Sequence, residues 1–215
     1  MNYCWSSSFR LILALEIGQL RSYANTVEKM LVEQMQKIDD EFQEHKAKRA
    51  EEEREALLNW YGGEVVSLTY EFPKILRYSL FVHSYGLVER VLLQVASHYR
   101  QTRHLELSPS DLRDNGIERA RTYLKKVALV PFPDIEPWQD ITTLNLIRNL
   151  IVHNEGNLHK SRVKECQKIE CLAKKWNGTV SIEGMNIEIS QGFIFHALDT
   201  FNTFFDELFA NLPEE

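Results

Sequence analysis

The sequence predicts a mostly α-helical protein, because apolar residues recur at helical spacing over much of the chain. The pattern is clearest over residues 75–99, 138–153 and 191–212. Alternating apolar residues occur near 179–190, where turn-forming Asn-Gly and Glu-Gly pairs accompany them, which is typical of a small β-hairpin. We therefore expect an antiparallel helical bundle with one small hairpin.

The N-terminal part of the chain predicts a short apolar helix followed by a long polar one. Residues 9–20 are apolar, but they include Arg10 and Glu16, and no stretch reaches the roughly 20 apolar residues that span a membrane. We expect this segment to form an amphipathic helix that covers the core, rather than a signal peptide or a membrane anchor.

The long polar helix, over about residues 23–60, has too few apolar positions for a coiled coil. Its apolar positions at helical spacing are Leu31, Met35, Ile38 and Phe42. Gly62-Gly63 predicts a break, so we divide the chain into an N-terminal helical arm, residues 1–62, and a helical domain, residues 63–215. The acidic second half of the arm could shield a basic surface or contact a partner protein.

Composition indicates an ordinary globular protein. The chain has 215 residues, of which 44% are hydrophobic and 11% aromatic, enough for one good core. The three cysteines, Cys4, Cys166 and Cys171, have neither disulfide-framework nor zinc spacing, so a reducing cytoplasm is expected. The sequence has no phosphate-binding glycine-rich loop, Rossmann fingerprint or nucleophile elbow, and we expect no metal and no other cofactor.

Residues 148–153 place an arginine, an asparagine and a histidine at the end of a predicted apolar helix. An α-helix turns by about 100° per residue, which puts Arg148 in the centre of the apolar stripe and His153 roughly 140° away from it, on a polar strip with Asn149 and Asn145. The stripe consists of Ile141, Leu144, Ile151 and Val152. A guanidinium in that position needs a carboxylate, a dimer cleft or a ligand.

The same segment can instead be interpreted as the end of a helix, with no catalytic role. The last turn of a helix favours a cation such as His153, and Asn154 followed by Gly156 is typical of a helix end. A carboxylate for Arg148 is available at Glu89, which lies on the apolar face of the helix predicted over 75–99. Glu89 could hold Arg148 or His153, either as a structural pair or as a residue that orients a catalytic side chain.

Charge is distributed unevenly along the chain, whose net charge is −6. Residues 39–55 hold eight acidic and four basic residues, whereas residues 148–175 hold seven basic and three acidic ones. A basic segment next to the motif could position phosphates, and its candidate RNA-binding residues are Lys160, Arg162 and Lys164. The alternative is a solvated helix face.

Four segments follow one another in a characteristic order. They are Tyr85-Gly86-Leu87-Val88-Glu89-Arg90, then Gly116-Ile117-Glu118-Arg119-Ala120-Arg121, then Phe132-Pro133 before Trp138, and then Arg148-Asn149 through His153-Asn154-Glu155-Gly156. This series resembles the HEPN superfamily of helical ribonucleases and nucleotide-binding domains, and the resemblance covers about residues 72–212. The signature of that superfamily is an arginine, four to six residues and a histidine, often with a polar residue after the arginine.

The resemblance implies a metal-independent endoribonuclease of toxin or defence type. Arg148 would clamp the scissile phosphate, His153 would act as general acid or base, and Asn149 would hydrogen-bond one of them. Supporting positions would be Glu89, Asn145 and Asn154. The RNA 2′-hydroxyl is the nucleophile, so the protein supplies proton transfer and charge stabilisation.

The resemblance also implies partners. The family usually builds this site at a two-fold interface, so we expect a homodimer, RNA such as tRNA or mRNA as substrate, and an antitoxin protein as a further partner. Two other functions stay open from the residues themselves: a non-catalytic module that binds nucleotide or protein, with Arg148 and Glu89 as a structural pair, and an oligomeric helical scaffold.

Overall fold

A computed structural model describes residues 5–133, 136–158 and 163–213. The chain is mostly helical and has a small two-stranded antiparallel sheet, which confirms the predicted fold class and the hairpin near 179–190. The elements are α1 (Trp5–Lys48), α2 (Arg54–Val66), α3 (Phe72–Thr102), α4 (Gly116–Thr122), α5 (Glu136–Asn154), α6 (Val163–Lys175), β1 (Val180–Glu183), β2 (Asn186–Ile189) and α7 (Gln191–Asn211).

The N-terminal third forms a helical hairpin rather than the single helix predicted over 23–60. The chain turns between α1 and α2 around a 3₁₀ turn at Glu51–Glu53, and α2 returns along the second half of α1. The Tyr61 ring packs edge-on against Phe42, with centroids 5.5 Å apart, and its hydroxyl hydrogen-bonds Nδ1 of His45 at 2.9 Å. These tertiary contacts reverse the chain at a place that carries no Gly or Pro.

Gly62 and Gly63 lie inside α2, so the predicted break between them is wrong. A π-helical turn at Ser67–Glu71 joins α2 directly to α3. Neither glycine adopts positive φ, and a glycine in a helix interior is tolerated at a cost of about 1 kcal/mol relative to alanine. The division of the chain at residue 62 stays a prediction, but the chain does not turn there.

The first half of α1 belongs to the main core. Leu13, Ile17 and Ala24 are buried there against the rest of the bundle. The guanidinium of Arg77 on α3 donates two hydrogen bonds to the Glu28 carboxylate, at 2.7 and 2.9 Å. The first half of α1 therefore packs against the bundle, while its second half forms the hairpin with α2.

The centre of the core is built from α3, α5 and α7. The helical aromatic pattern of α7 is buried in it as predicted, and ring contacts join α7 to its neighbours. The α7 phenylalanines that make these contacts are Phe193, Phe201 and Phe204. Because α5 is packed between α3, α6 and α7, this core fixes the direction of every side chain along α5.

The end of α5 is anchored by the β-hairpin and by α3. Glu155 and Gly156 both have positive φ, and the Gly156 N–H donates to the carbonyl of Leu150 at 3.0 Å, which ends the helix where the sequence predicts. The Tyr78 hydroxyl of α3 donates to the carbonyl of Ile187 on β2 and lies directly over Gly156. Only a glycine leaves room for that phenol.

Within the described ranges, no helix is long and apolar enough to cross a membrane, and no three or more His, Cys, Asp and Glu side chains are grouped as metal ligands would be. Cys166 is half-buried, Cys171 is exposed and both are free, whereas Cys4 lies outside the described residues.

Glycine replacements distinguish helical from left-handed positions. We expect Gly62→Ala to raise the free energy of unfolding by about 0.5 to 1 kcal/mol, because Gly62 is helical with nothing within 4 Å of an added Cβ. Gly156→Ala should lower it by more than about 1 kcal/mol, since φ is positive and the Cβ meets Tyr78. Urea denaturation measures both; equal shifts would contradict this assignment.

Candidate functional site

Arg148 lies at the edge of the buried face of α5, not in its centre as the sequence predicts. Val152, which the sequence predicts to lie on the apolar stripe, is 45% exposed, whereas Ile147 and Leu150 are buried. The buried face is therefore rotated away from the predicted one. The Arg148 side chain keeps 26% of its surface exposed, so the guanidinium is held by the protein and also reaches solvent.

Two polar side chains interact with Arg148, and a third contacts one of those two. The NH2 atom of Arg148 lies 4.0 Å from Oε2 of Glu89 on α3, so Glu89 pairs with Arg148 and not with His153. Its NH1 atom donates to Oδ1 of Asn149 at 2.9 Å, and Asn149 in turn donates a longer bond of 3.5 Å to Oδ1 of Asn145. The structure thus brings together four of the six predicted catalytic and supporting residues.

The carboxylate of Glu89 fits against the start of α4. Gly116 has φ of +53°, and a Cβ there would lie 3.0 Å from Oε1 of Glu89. Gly116 therefore provides both the left-handed backbone that begins α4 and the space that Glu89 occupies. The sequence motif that begins at Gly116 is connected to Arg148 through this carboxylate.

Tyr85 is a member of the site that the sequence does not single out. It lies one turn before Glu89 on α3 and is fully buried, and its hydroxyl has no hydrogen-bond partner among the described residues. Burial, and then the Glu89 carboxylate, raise the pKa of Tyr85 far above its usual range, while Arg148 opposes the shift. The phenol is therefore neutral and can donate a proton to a hydrogen-bond acceptor.

The Nε atom of Arg148, like the Tyr85 hydroxyl, is buried and has no hydrogen-bond partner among the described residues. Buried polar atoms are seldom left without a hydrogen bond. Arg148, which pairs with Glu89, and Tyr85, one turn from Glu89, therefore each carry one buried polar atom without a hydrogen bond to the described residues.

His153 is separate from this cluster. It lies in the last turn of α5, is exposed, and forms no side-chain hydrogen bond or ion pair with any described residue. Arg148 is directed toward α3, whereas His153 stands about 140° around the helix on an ideal wheel. The side chain of Asn154, next to His153, also has no hydrogen bond within the described part of the chain, and its carbonyl accepts from the N–H of Asn157 at 2.8 Å.

Of the three candidate RNA-binding residues, Lys164 is exposed at the start of α6, and Lys160 and Arg162 lie outside the described residues. Lys175, which contributes to the basic segment, is neutralised by Asp140 at 2.7 Å and Glu136 at 3.2 Å. The hydrogen bond to Asp140 raises the pKa of Lys175. Among the described residues of this segment, Lys164, Lys168 and Lys174 stay exposed without an ion pair, whereas the charge of Lys175 is balanced.

Comparisons of the chain with protein-family models, with curated proteins and with solved structures find no match. The candidate site therefore depends on the geometry of Arg148, Glu89, Asn149 and Tyr85 and on the resemblance of the motif series.

Removing the Tyr85 hydroxyl tests whether that atom is unpaired. We expect Tyr85→Phe to leave the free energy of unfolding unchanged or to raise it by up to about 1 kcal/mol, because no hydrogen bond is lost with the hydroxyl. Thermal and urea unfolding measure the change. Tyr78→Phe is the matched control and should be destabilising, since its hydroxyl donates to Ile187. A large loss in Tyr85→Phe would show that the hydroxyl is bonded.

Proposed function

We propose that the protein is a metal-independent endoribonuclease of toxin or defence type. The observation that carries the proposal is the Arg148 guanidinium, fixed between Glu89 and Asn149 while about a quarter of the side chain stays open to solvent. Arginine suits phosphate recognition because its planar fork carries several donors and a permanent charge. The resemblance to the HEPN superfamily supplies the reaction class.

The proposed chemistry divides between two side chains. His153 acts as general acid or base on the 2′-hydroxyl or on the leaving oxygen, because imidazole exchanges protons near neutral pH. Arg148 stabilises charge on the phosphate, and Asn149 orients Arg148 through the 2.9 Å hydrogen bond. The 2′-hydroxyl gives its proton to a general base and attacks the adjacent phosphorus, and the bond to the 5′-oxygen breaks as a general acid protonates that oxygen. The products are a 2′,3′-cyclic phosphate and a free 5′-hydroxyl.

A second copy of the chain forms part of the proposal, because one copy keeps the two side chains apart. Arg148 faces α3, and His153 faces solvent five residues later. Val152 is 45% exposed between them, which leaves an apolar side chain at the motif for another protomer to cover. A two-fold arrangement would bring His153 of one copy to Arg148 of the other.

The remaining parts of the proposal concern partners and location. RNA such as tRNA or mRNA is the substrate, an antitoxin protein restrains the enzyme, and a reducing cytoplasm is the compartment. The two free cysteines of α6 are consistent with that compartment.

A non-catalytic module that binds nucleotide or a protein is the second candidate. It is favoured by a specific observation: Arg148 already has a carboxylate and an amide as partners, as a structural arginine would. In that function Glu89 and Arg148 join α3 to α5, and His153 only terminates α5. The two functions differ in whether His153 is required.

RNA cleavage in the presence of a chelator tests the enzyme directly. We expect the wild-type protein to cut single-stranded RNA in EDTA and to leave 2′,3′-cyclic phosphate ends, detected by end-group analysis. Arg148→Ala and His153→Ala should each lower the rate by at least about 100-fold, as loss of an acid–base or charge-stabilising group does. His83→Ala, at an exposed position on α3, is the control and should cleave normally.

Cleavage that needs a divalent ion, or that persists in His153→Ala, would contradict the proposed mechanism. Normal RNA binding without cleavage in the wild type would favour the non-catalytic module.

Mixing two inactive variants tests the shared site. If each site takes Arg148 from one copy and His153 from the other, Arg148→Ala and His153→Ala are expected to restore about a quarter of wild-type activity when mixed, because a heterodimer has one intact site. Light scattering at micromolar concentration should give a dimer. A monomer that cleaves RNA, or no recovery of activity on mixing after subunit exchange, would exclude the arrangement.

A further inference from the structure

A groove separates α6 from α5 on the side of α5 that faces away from α3. The two helices run antiparallel, because Lys175 at the end of α6 pairs with Glu136 and Asp140 at the start of α5. The groove has a volume of about 680 Å³. Apolar carbon atoms form more of its surface than polar atoms do, and Leu172 and Cys171 line it among polar residues. The polar groups that could meet a ligand come from Gln139, Thr142 and Thr143 of α5 and from Lys164, Gln167 and Lys168 of α6.

The positive charge of the groove is unequal along its length. At one end Lys175 is balanced by two carboxylates. Toward the other end Lys164 and Lys168 are exposed, and neither forms a hydrogen bond or an ion pair with the described residues. Like charges four residues apart on a helix destabilise it by a few tenths of a kcal/mol. An anion in the groove would turn that repulsion into attraction.

The hydroxyl groups of the groove are already engaged as donors. Thr142 and Thr143 both donate to the carbonyl of Gln139, at 2.8 and 3.0 Å, so their oxygens line the groove as fixed acceptors. The donors that remain for an anion are the two ammonium groups and the amide groups of Gln139 and Gln167. These ammonium and amide donors suit an oxygen-rich, negatively charged chain.

The groove lies on the same side of α5 as the candidate catalytic histidine. Thr142, Asn149 and His153 are spaced by seven and four residues and therefore share one helix face. Lys164 lies at the beginning of α6, and antiparallel packing puts that beginning at the end of the groove closer to His153. Arg148 is directed to the other side, toward Glu89.

We propose that the groove between α5 and α6 binds the sugar-phosphate backbone of single-stranded RNA beside the cleavage point, with Lys164 and Lys168 neutralising neighbouring phosphates. This inference rests on the proposed function for its ligand. It assigns Lys168 and the groove-lining amides to the site, adds the path that the RNA follows toward His153, and predicts binding without a preference for base sequence, since ammonium and amide groups on this path face phosphate and sugar.

Salt dependence of binding tests the two lysines. His153→Ala is used as the background so that RNA is not cut, and a short fluorescein-labelled single-stranded RNA of mixed sequence is titrated by anisotropy across a salt series. The logarithm of the association constant falls linearly with the logarithm of the salt concentration. Adding Lys164→Ala and Lys168→Ala should make this slope shallower by about 1.4, since each phosphate contact on a single strand contributes about 0.7. Lys174→Ala, exposed on α6 outside the groove, is the matched control and should keep the slope.

Cys171 provides a second measurement inside the groove. It is exposed and lines the groove, whereas Cys166 is half-buried. In a Cys4→Ser, Cys166→Ser, His153→Ala protein, saturating RNA should slow maleimide labelling of Cys171 by at least about tenfold, whereas free nucleotide monophosphate at the same phosphate concentration should not.

The outcomes separate this inference from the proposed function. An unchanged salt slope in the double lysine variant, or full labelling of Cys171 with RNA bound, overturns the groove even if the wild type cleaves RNA. Lysine-dependent binding with a protected Cys171 supports the groove even if the wild type does not cleave. No RNA binding at low salt in any variant overturns both.

Discussion

The packing of α5 against α3 is the constraint on which the candidate site depends. The apolar face of α5 is buried between α3 and α7, and this leaves Arg148 at the edge of the core, where the carboxylate of Glu89 is 4.0 Å away. A guanidinium at the edge of the core loses part of its hydration, and the nearby carboxylate offsets that cost while solvent still reaches both groups. The same rotation of α5 turns His153 into solvent.

The surroundings of Glu89 explain why the arginine keeps its orientation. Gly116 leaves space for the carboxylate at the start of α4, and Asn149 accepts from the guanidinium on the other side. Tyr85 stands beside them with its hydroxyl buried, and its pKa is raised by burial and by Glu89. Three separate helices therefore contribute to one charge pair, and the pair ties α3, α4 and α5 together at a position where solvent still reaches the arginine.

Periodicity in the sequence predicts the elements that pack in the core, and it fails where tertiary contacts decide. The extents of α3, α5 and α7 and the hairpin agree with the apolar spacing, because each buries a continuous face. The turn between α1 and α2 carries no turn-forming residue, and Tyr61 against Phe42 compensates for it across the hairpin. Gly62 predicted a break because glycine is permissive, but permissiveness does not require one.

The sequence likewise predicts part of the candidate site. Pairing of Glu89 with Arg148 follows from two opposite charges on apolar faces, since burial forces them together. Val152 and Arg148 were misplaced because an ideal wheel locates a stripe only to within about one residue, and the packing partners choose among the neighbouring rotations. The sequence could not identify Tyr85 as a member of the site, because a tyrosine on an apolar face has the same periodicity whether or not its hydroxyl forms a hydrogen bond.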